Sequence, residues 1–474
     1  MTPLTARPGA LWLDTGSPVG SDGGWSYVSA EPAVWLRGRG TRLEILPGPV
    51  GDGGWLARIH AIDRGGDGDE AFDRLARIGR ALWPGPSGPT VVTERPISRF
   101  AGGFAGFFSY DLGRRFEDVP AHIESRATDV PWDFVVGLYD EVVAIHAATG
   151  ERRVHRLPGA RRRLDRDAPL LPVLPDVGAT SIPRPELSEA EHAAAVATIR
   201  EHIAAGTIYQ ANLTLRFRAA ATHPDAALST FARLQRENPA PYAAWCSLPG
   251  LSLVSTSPEC FLAAGPDGRV LSRPIKGTRP RGAQHDGPED CAARAELLAS
   301  AKDRAELTMI VDLVRNDIGR VCTPGSVSRA PAIVCEGHPT VWHLVSEVSG
   351  RLAPDRDAFD LLRAAFPPGS CIGAPKIRAM GVIESLERSR RGPYTGAIGW
   401  IGADGSLGLS VAIRTLVFRE GEVTYGVGGG IVYDSSPAEE WQEALLKGRA
   451  LAKALTPAGH RADLPLTLDL RTGN

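Results

Sequence analysis

The sequence predicts an α+β fold, a two-lobed layered sandwich of mostly antiparallel sheets with helices packed outside. The first reason is the order of its elements: helical segments are grouped between runs of strand-like segments, whereas a parallel βαβ sheet would need regular alternation. The second reason is the first 150 residues, where short apolar runs alternate with Gly and Pro turns, as in antiparallel strands. With 474 residues, 43% of them apolar, the chain can also fill the core of such a fold.

Before residue 157 the pattern indicates mainly strands, with a helix predicted over 70–82. The segment 157–185 is rich in Pro, Arg and Gly, which is typical of a connection between lobes. The predicted organisation is therefore an N-terminal lobe over 1–156, a connection over 157–185 and a second lobe over 186–474. The strands predicted before the connection are 33–36, 43–46, 134–138 and 142–145.

The second lobe begins with a capped helix. Ser188 and Glu191 have capping-box spacing ahead of an Ala-rich helix that is predicted to end at Gly206. Near the other end, Ser436 is the predicted N-cap of a last helix that has Glu439 at its third position. Between these helices we predict strands over 213–217, 251–255, 396–401, 410–418 and 423–427, and helices over 290–317, 357–365 and 374–389.

Composition argues against several classes of protein. A net charge of −2 with 23% charged residues lacks the basic excess of a nucleic-acid-binding protein. The N-terminus has no basic region followed by an apolar core, and no apolar run approaches the roughly 18 residues of a membrane span, so we expect a cytoplasmic protein. The six cysteines form no C-x-x-C pair, which argues against a disulfide framework or a zinc site.

Lysine is rare in this chain, which draws attention to Lys276. Five of the 53 basic residues are lysines, so a replaceable surface charge would nearly always be arginine. Unlike arginine, lysine can lose its proton in a dry or positively charged setting and become a nucleophile or a base. The alternative is that Lys276 closes a turn, because the segment 274–278 also looks like the end of a strand that enters a Gly turn.

Two predicted helices each carry a pair of carboxylates three residues apart, hence on one face. Asp303 and Glu306 lie in an otherwise apolar helix that we expect to be buried, and Glu440 and Glu443 lie in the last helix. Two such pairs can hold one Mg²⁺, which prefers oxygen ligands and bridges to anionic substrates. The alternative is that the pairs are solvated faces, or ion pairs with Arg304 and Lys447.

Other candidate residues are a glycine-rich segment and three isolated polar side chains. The segment 426–430 is predicted to be a loop whose backbone N–H groups bind an anion, or else a glycine bulge in a strand. Arg414 lies in an apolar predicted strand and needs a carboxylate from the protein or a ligand. His343 is a catalytic candidate or a satisfied core residue, and Glu259 is a positioned acid or an ordinary turn carboxylate.

Taken together, these segments resemble the chorismate-utilising enzymes, the family that includes anthranilate and isochorismate synthases. The resemblance is strong from Ser188 to Leu455, and its motifs are too many and too well ordered for chance. The N-terminal segments 27–32, 102–106 and 110–117 agree with it. The matching motifs are 257–259, 274–278, 303–306 with 311–317, 343–346, 373–376, 413–415 and 428–432.

The resemblance implies a reaction, because lysine at position 276 is typical of the members that aminate chorismate at C4. Anthranilate and isochorismate synthases typically have alanine there. Lys276 would attack C2 of chorismate as the C4 hydroxyl leaves, with Glu259 as general acid and His343 assisting, and ammonia would then add at C4. Because hydroxyl is a poor leaving group and needs a proton donor, we expect a raised pKa for Glu259.

The resemblance also implies ligands for the predicted site. Mg²⁺ would be held by Glu306 and Glu443, with Asp303 and Glu440 close by. The carboxylates and ring oxygens of chorismate would be held by Gly277, Thr278, Tyr394, Arg414 and the backbone of Gly428, Gly429 and Gly430.

Two partners follow from the same resemblance. Ammonia would come from a separate glutamine amidotransferase subunit, because the chain lacks a nucleophilic Cys within a Gly-x-Cys-x-Gly elbow. The N-terminal lobe is a possible site for L-tryptophan, near 241–243 and the strand that ends at Asp14 and Thr15. The chain departs from the family at Ile372, where Thr or Ser is common; Ser370 is a hydroxyl nearby.

Two alternative functions remain open for this chain. One is anthranilate synthase component I, against which Lys276 counts. The other is a catalytically silent paralogue that binds an aromatic amino acid, but buried charges without a metal or ligand would only destabilise such a fold.

Overall fold

The structure, a computed structural model, describes residues 2–14, 24–64, 68–84, 99–119, 130–161, 163–282, 284–330 and 332–457. In this part of the chain ten α-helices accompany three sheets of eleven, ten and three strands. Every strand pairing among these residues is antiparallel. The predicted α+β class is therefore confirmed.

The helices are α1 (Trp55–Asp63), α2 (Ala71–Leu82), α3 (Gly113–Phe116), α4 (Glu189–Ala204), α5 (Ala226–Glu237), α6 (Pro288–Ala299), α7 (Ala301–Gly319), α8 (Ala358–Ala365), α9 (Lys376–Leu386) and α10 (Pro437–Leu455). The strands are β1 (Leu11–Leu13), β2 (Trp25–Ser29), β3 (Val34–Arg39), β4 (Arg42–Pro47), β5 (Gly103–Phe108), β6 (Phe134–Tyr139), β7 (Glu141–His146), β8 (Arg152–Arg156), β9 (Arg184–Pro185), β10 (Gln210–Ala220), β11 (Tyr242–Leu248), β12 (Leu251–Ser257), β13 (Cys260–Ala264), β14 (Arg269–Arg273), β15 (Ile275–Pro280), β16 (Ser328–Arg329), β17 (Val334–Gly337), β18 (Val341–Val345), β19 (Val348–Arg351), β20 (Gly373–Ala374), β21 (Ala397–Gly402), β22 (Leu407–Val411), β23 (Thr415–Arg419) and β24 (Glu422–Ile431).

The two large sheets each combine strands from both sides of the 157–185 segment. One has the order β20-β10-β24-β23-β12-β11-β1-β2-β7-β8, with β9 beside β10. The other has the order β16-β19-β14-β13-β22-β21-β5-β6-β3-β4, and the small sheet is β15-β18-β17. Neither large sheet is confined to one predicted lobe, and the boundary at 157–185 stays a prediction.

Apolar side chains fill the space between the two large sheets and the outer face of each. Tyr27 and Trp400 belong to the cluster between the sheets. Leu75 of α2 packs in a second cluster with Phe104 on the outer face of the ten-stranded sheet. Phe231 of α5 belongs to a third cluster, which covers the outer face of the eleven-stranded sheet. The helices thus pack outside, as predicted. No helix in the described residues has the length and apolarity needed to cross a membrane.

The predicted helix over 290–317 is in fact two helices, α6 and α7, and the prediction of one was wrong. Ser300 between them is extended, with φ −63° and ψ 107°, and its Oγ accepts the N–H of Asp303 at 3.2 Å. A serine that caps a helix also interrupts the one before it. Helix α7 is not buried as expected, because one side of it, including Lys302 and Asp312, is exposed.

The predicted strand over 410–418 is likewise divided. Strand β22 belongs to the ten-stranded sheet and β23 to the eleven-stranded sheet, so the chain crosses between sheets at Arg414. Arg414 has φ +50°, a left-handed conformation that ends a strand. This arginine was wrongly predicted to lie within a strand.

The glycine-rich segment is a strand, not the predicted loop. Strand β24 pairs with β10 without interruption, and Gly428, Gly429 and Gly430 are opposite Thr214, Leu213 and Asn212. The register has no bulge there either.

Helix ends were predicted with mixed success. The capping box of Ser188 and Glu191 is present, and α4 ends at Ala204, ahead of Gly206. Ser436 is the N-cap of α10, as predicted, but its side chain makes no capping hydrogen bond. The capping role predicted for Glu439 is therefore wrong.

Candidate active site

Glu259 lies on the short turn between β12 and β13, and its side chain is buried. Its backbone N–H donates to Ser257 Oγ at 3.3 Å, and that hydroxyl donates to Val411 O at 2.6 Å. Burial raises the pKa of the carboxyl to about 7, although Ser370 and the charge of Lys276 lower it. The predicted direction is confirmed. A carboxyl with this pKa can donate a proton near neutral pH.

Lys276 is half-buried on β15 and lies close to Glu259. Its ammonium also acts electrostatically on the thiol of Cys371 and on the carboxylate of Glu443. The lysine therefore lies close to three parts of the chain: the turn that carries Glu259, the loop before β20 and the carboxylate pair of α10.

A β-bulge at Gly277 separates Lys276 from Thr278. These two residues are opposite consecutive residues of β18, so Gly277 has no partner across the pair. Gly277 has φ +74°, and a Cβ on it would lie 2.9 Å from Cβ of Asp303. Both facts require glycine. The bulge thus brings the α7 carboxylate pair next to the lysine strand.

His343 lies on β18 and is a neutral imidazole. Its Nδ1 is 3.0 Å from Thr278 Oγ1, and Nε2 is buried without a hydrogen-bond partner in the described part of the chain. Burial lowers its pKa to about 3, and the charge of Arg414 adds to this effect. Its ring packs edge-on against His338, with 5.2 Å between centroids. One nitrogen is thus left for a ligand.

Arg414 has no counterion of its own. Its side chain makes no hydrogen bond or ion pair with any described residue, and burial lowers its pKa. The guanidinium is half-buried and is thus left able to pair with a carboxylate of a ligand.

The two carboxylates of α10 are held differently. Glu440 is buried, and its Oε1 accepts a hydrogen bond from Ser435 Oγ at 2.6 Å. Glu443 pairs with Lys447 at 2.6 Å, as the alternative interpretation expected. Burial raises the pKa of Glu440, and the charge of Glu443 adds to this. Burial alone would raise the pKa of Glu443 as well, but Lys447 holds it below its usual value.

The carboxylates of α7 face the same region. Asp303 Oδ2 lies 3.3 Å from Arg279 Nη2, and Glu306 is half-buried. Lys302, at the start of α7, acts electrostatically on both carboxylates of α10, so the two helices are close. Across the described ranges, however, no three His, Cys, Asp or Glu side chains converge as metal ligands.

The glycines of β24 let these groups approach the sheet. A Cβ on Gly429 would lie 2.8 Å from Glu440 Oε2, and a Cβ on Gly430 would lie 2.0 Å from Gln210 Nε2. Strand β23 pairs with β24 only as far as Tyr425, so the glycines have a strand neighbour on one side alone. On the other edge Gly428 O accepts a hydrogen bond from Lys447 Nζ at 2.9 Å, and the remaining backbone groups there can bind a ligand.

Tyr394 is packed against the glycine-rich strand β24. Its ring packs on Gly426, where a Cβ would come within 2.4 Å, and it lines a small cavity with Thr214 and Arg216. Burial raises the pKa of the phenol, and the thiol of Cys371 interacts electrostatically with both Tyr394 and Lys276.

Sequence reasoning left the role of Ser370 open. Its Oγ lies 3.8 Å from Cys371 Sγ, and the serine lowers the pKa of Glu259. Ile372 is fully buried and packs with Met380 and Ile383, so an apolar side chain suits the position where the family has a hydroxyl.

The residues expected near tryptophan do share a cavity. Asp14, Tyr242 and Ala243 line it between the two large sheets, and its volume is about 20 Å³. This is roughly the space of one water molecule, so tryptophan would require side chains to move. Thr15 lies outside the described residues.

Comparison with known proteins identifies the family of this chain. A family model described as chorismate binding enzyme matches residues 72–453. This chain belongs to the chorismate-binding enzymes, and chorismate is its substrate class.

Individual relatives divide between two activities. Aminodeoxychorismate synthase component 1 of Klebsiella aerogenes is 36% identical over 447 residues, which cover 94% of this chain and 93% of that protein. Anthranilate synthase component 1 of Streptomyces coelicolor is 38% identical over 417 residues, which cover 82% and 78%. The solved structure of anthranilate synthase component I from Streptococcus pneumoniae matches with a TM-score of 0.72 at 27% identity, covering 90% of this chain and 92% of that one. Identity alone does not separate the two reactions.

Proposed function

We propose that this chain is an aminodeoxychorismate synthase component I, which forms 4-amino-4-deoxychorismate from chorismate and ammonia for 4-aminobenzoate and folate biosynthesis. One observation carries the proposal: the primary amine of Lys276 lies close to the buried Glu259, whose pKa of about 7 suits a proton donor. The similarity to the Klebsiella aerogenes protein over most of the chain supports it.

The two residues act in turn. The step starts with Lys276 as the free amine and Glu259 as the protonated acid. Nζ of Lys276 bonds to C2 of chorismate while the C4 hydroxyl leaves as water with the proton of Glu259, and the ring double bonds shift. Ammonia then adds at C4 as the C2–N bond to Lys276 breaks and the double bonds return. The ammonium nitrogen gives its extra proton to Glu259, so the acid is restored. Chorismate and ammonia thus become the amino product and water.

Anionic substrate groups would bind next to this pair. Arg414 lacks a counterion in the described chain and would neutralise a carboxylate. Thr278 and the unpaired Nε2 of His343 would bind polar atoms of the substrate. The free edge of Gly428–Gly430 would supply backbone donors.

The carboxylates suit a divalent cation. Glu440 and Glu443 repel each other, and a hard cation with oxygen ligands would remove that repulsion. We propose that Glu306 and Glu443 hold Mg²⁺, with Asp303 and Glu440 beside it. The bound ion would neutralise the ring carboxylate of chorismate.

Replacing Glu443 with Gln tests the metal site. We expect the Mg²⁺ concentration for half-maximal activity to rise about tenfold or more, because one anionic ligand is lost. Titrating activity with MgCl₂ measures the change, and Glu439→Gln, on the exposed turn beside it, is the matched control. An unchanged Mg²⁺ dependence would show that the metal lies elsewhere.

Ammonia would be supplied by a separate glutamine amidotransferase subunit. L-tryptophan near Asp14 and Tyr242 stays a prediction, since the cavity there must first open.

Anthranilate synthase component I is the second candidate function. The observation in its favour is the 38% identity to the Streptomyces coelicolor protein.

Product analysis decides between these functions. The pure chain is incubated with chorismate, MgCl₂ and ammonium at mildly alkaline pH, and a separate aminodeoxychorismate lyase is then added. We expect 4-aminobenzoate, measured by chromatography. Anthranilate with pyruvate would refute the proposal in favour of the second candidate.

A further inference from the structure

Asp290 is a carboxylate that the proposed mechanism does not use. It lies in the first turn of α6, and its side chain is fully buried. Oδ1 accepts hydrogen bonds from Arg281 Nε at 2.7 Å, Gly282 N at 3.0 Å and Trp342 Nε1 at 2.9 Å, and Oδ2 accepts them from Arg281 Nη2 at 2.6 Å and Asp286 N at 2.9 Å. Five donors are more than the roughly four lone-pair sites of a carboxylate, so none is left for a ligand.

The side-chain donors come from the two strands that carry proposed catalytic groups. Arg281 directly follows β15, the strand of Lys276, and Trp342 directly precedes His343 on β18. The guanidinium of Arg281 also lies over the indole of Trp342, with 4.1 Å from Cζ to the ring centroid. Asp290 thus fixes the two strands to each other at one end of their pairing.

The backbone around Asp290 is shaped for these contacts. Gly282 passes so close to α6 that a Cβ on it would lie 2.8 Å from the backbone nitrogen of Asp290. Asp286 has φ +60°, a conformation that non-glycine residues seldom adopt, and its N–H is one of the five donors. Arg281 N donates to Thr340 O at 2.9 Å, so the strand pairing continues up to the carboxylate.

This end of the pairing matters because β15 and β18 pair in two registers. Thr278 lies opposite His343. Lys276 lies opposite Leu344, so one residue of β15 is left over between the two pairs, and this residue is the bulge. If the outer half of β15 slipped by one residue, the bulge would disappear and the side chains of that half would exchange faces. The bulged register therefore needs a fixed point on the outer half, and the five hydrogen bonds of Asp290 provide it.

We propose that Asp290 is a positioning residue for the reaction: it holds the outer half of β15 in the register that places Lys276 in the site. This inference rests on the proposed role of Lys276 and concerns how the chain presents that amine. Asparagine cannot replace the aspartate, because its amide N–H groups would point at other donors. A change at Asp290 should therefore reach Lys276 through the strand pair.

Asp290→Asn tests the inference through the reactivity of Lys276, which needs neither substrate nor product. The chain has five lysines, so reductive methylation followed by peptide mass spectrometry reports on each of them separately. We expect the methylation rate of Lys276, relative to that of Lys453, to rise about threefold or more, because β15 is no longer held in one register. Chorismate consumption should show kcat lowered about tenfold to a hundredfold, with a smaller change in KM.

Trp342→Phe is the second variant, and it serves should Asp290→Asn not fold. It keeps an aromatic ring on β18 and removes one of the five donors. Both readouts should move in the same direction as in Asp290→Asn, but by less. In the double variant Trp342→Phe should add less than it does alone, because both changes act on one contact.

Glu141→Gln is the matched control, since Glu141 is also a buried carboxylate that joins separate segments. It accepts hydrogen bonds from Arg156 Nε at 2.5 Å, Arg163 N at 2.6 Å and Leu164 N at 3.1 Å. It lies on β7, which belongs to the eleven-stranded sheet and not to the sheet of β15. Glu141→Gln should lower thermal stability and leave both the methylation rate of Lys276 and kcat at the wild-type values.

A wild-type methylation rate for Lys276 in Asp290→Asn, or in Trp342→Phe where the first variant does not fold, overturns the inference. So does an equal rise in Glu141→Gln, which would make the effect one of general stability. Failure of the proposed function is a separate result, because it changes the product that the wild-type chain forms and leaves the comparison of lysine reactivities intact.

Discussion

Alanine in place of Lys276 is expected to abolish formation of 4-amino-4-deoxychorismate, with a loss of about a thousandfold or more in kcat. The reason is covalent, since Lys276 is the one lysine of the described residues whose charge acts on Glu259. Lys276 is half-buried, so the fold should remain intact. Chromatography of the products measures the loss, and any shift toward anthranilate will be seen in the same experiment.

Lys453→Ala is the control for Lys276→Ala. Lys453 is exposed on α10, where it lies 3.7 Å from Glu237, far from the proposed chemistry. It should retain wild-type turnover. Unchanged amination by Lys276→Ala, with the control behaving as expected, would remove the covalent role of the lysine.

Glutamine in place of Glu259 should stop the reaction and also change the stability of the protein. Gln has the shape of the protonated acid but cannot donate the proton that the hydroxyl needs, so we expect kcat to fall about a hundredfold or more. In the wild type, activity should decline as the pH rises above about 7, because the acid ionises there.

The same substitution should lower activity but raise stability relative to wild type as the pH rises. At pH values between the ordinary pKa of glutamate and about 7, the folded protein holds a proton on Glu259 that the unfolded chain has released. The stability that this proton contributes is therefore fully present below the ordinary pKa and is lost as the pH rises through about 7. Relative to wild type, Glu259→Gln should gain roughly 2 to 3 kcal/mol in free energy of unfolding between pH 5 and pH 8. Urea denaturation at both pH values measures it.

Glu384→Gln is the matched control for this pair of effects. Burial raises the pKa of Glu384 to about 7 as well, but its partner is Arg114 and it lies outside the proposed machinery. It should change stability with pH and retain turnover. A Glu259→Gln variant that keeps its activity would show that the proton comes from another group.

Most elements could be predicted from local pattern. Helix α4 follows from the capping box at Ser188, and α2 was predicted within one residue. The predictions failed where an apolar pattern continues past the residue at which a helix or strand ends. Ser300 divides one apolar run into α6 and α7, and Arg414 divides another into β22 and β23. A local pattern records how buried a segment is, but not which sheet each half joins.

The sequence predicted which residues belong to the site better than it predicted how those residues are arranged. Burial of Glu259 and its raised pKa follow from a carboxyl that must donate a proton. Glu443 and Lys447 lie one helical turn apart, so the sequence allowed either an ion pair between them or a metal-binding role for Glu443. The placement of Tyr394 against Gly426 depends on contacts across the sheet, which no local pattern encodes.

By itself, the sequence determined the α+β class, the rare lysine and the paired carboxylates, because composition and residue spacing are properties of the chain. Only the tertiary structure decided that Lys276 lies close to the buried Glu259, that Arg414 has no counterion among the described residues, and that Arg391 donates hydrogen bonds to both Cys371 O and Asn212 O. These are contacts between residues up to 179 positions apart, and their energies exist only once folding has excluded water from between them.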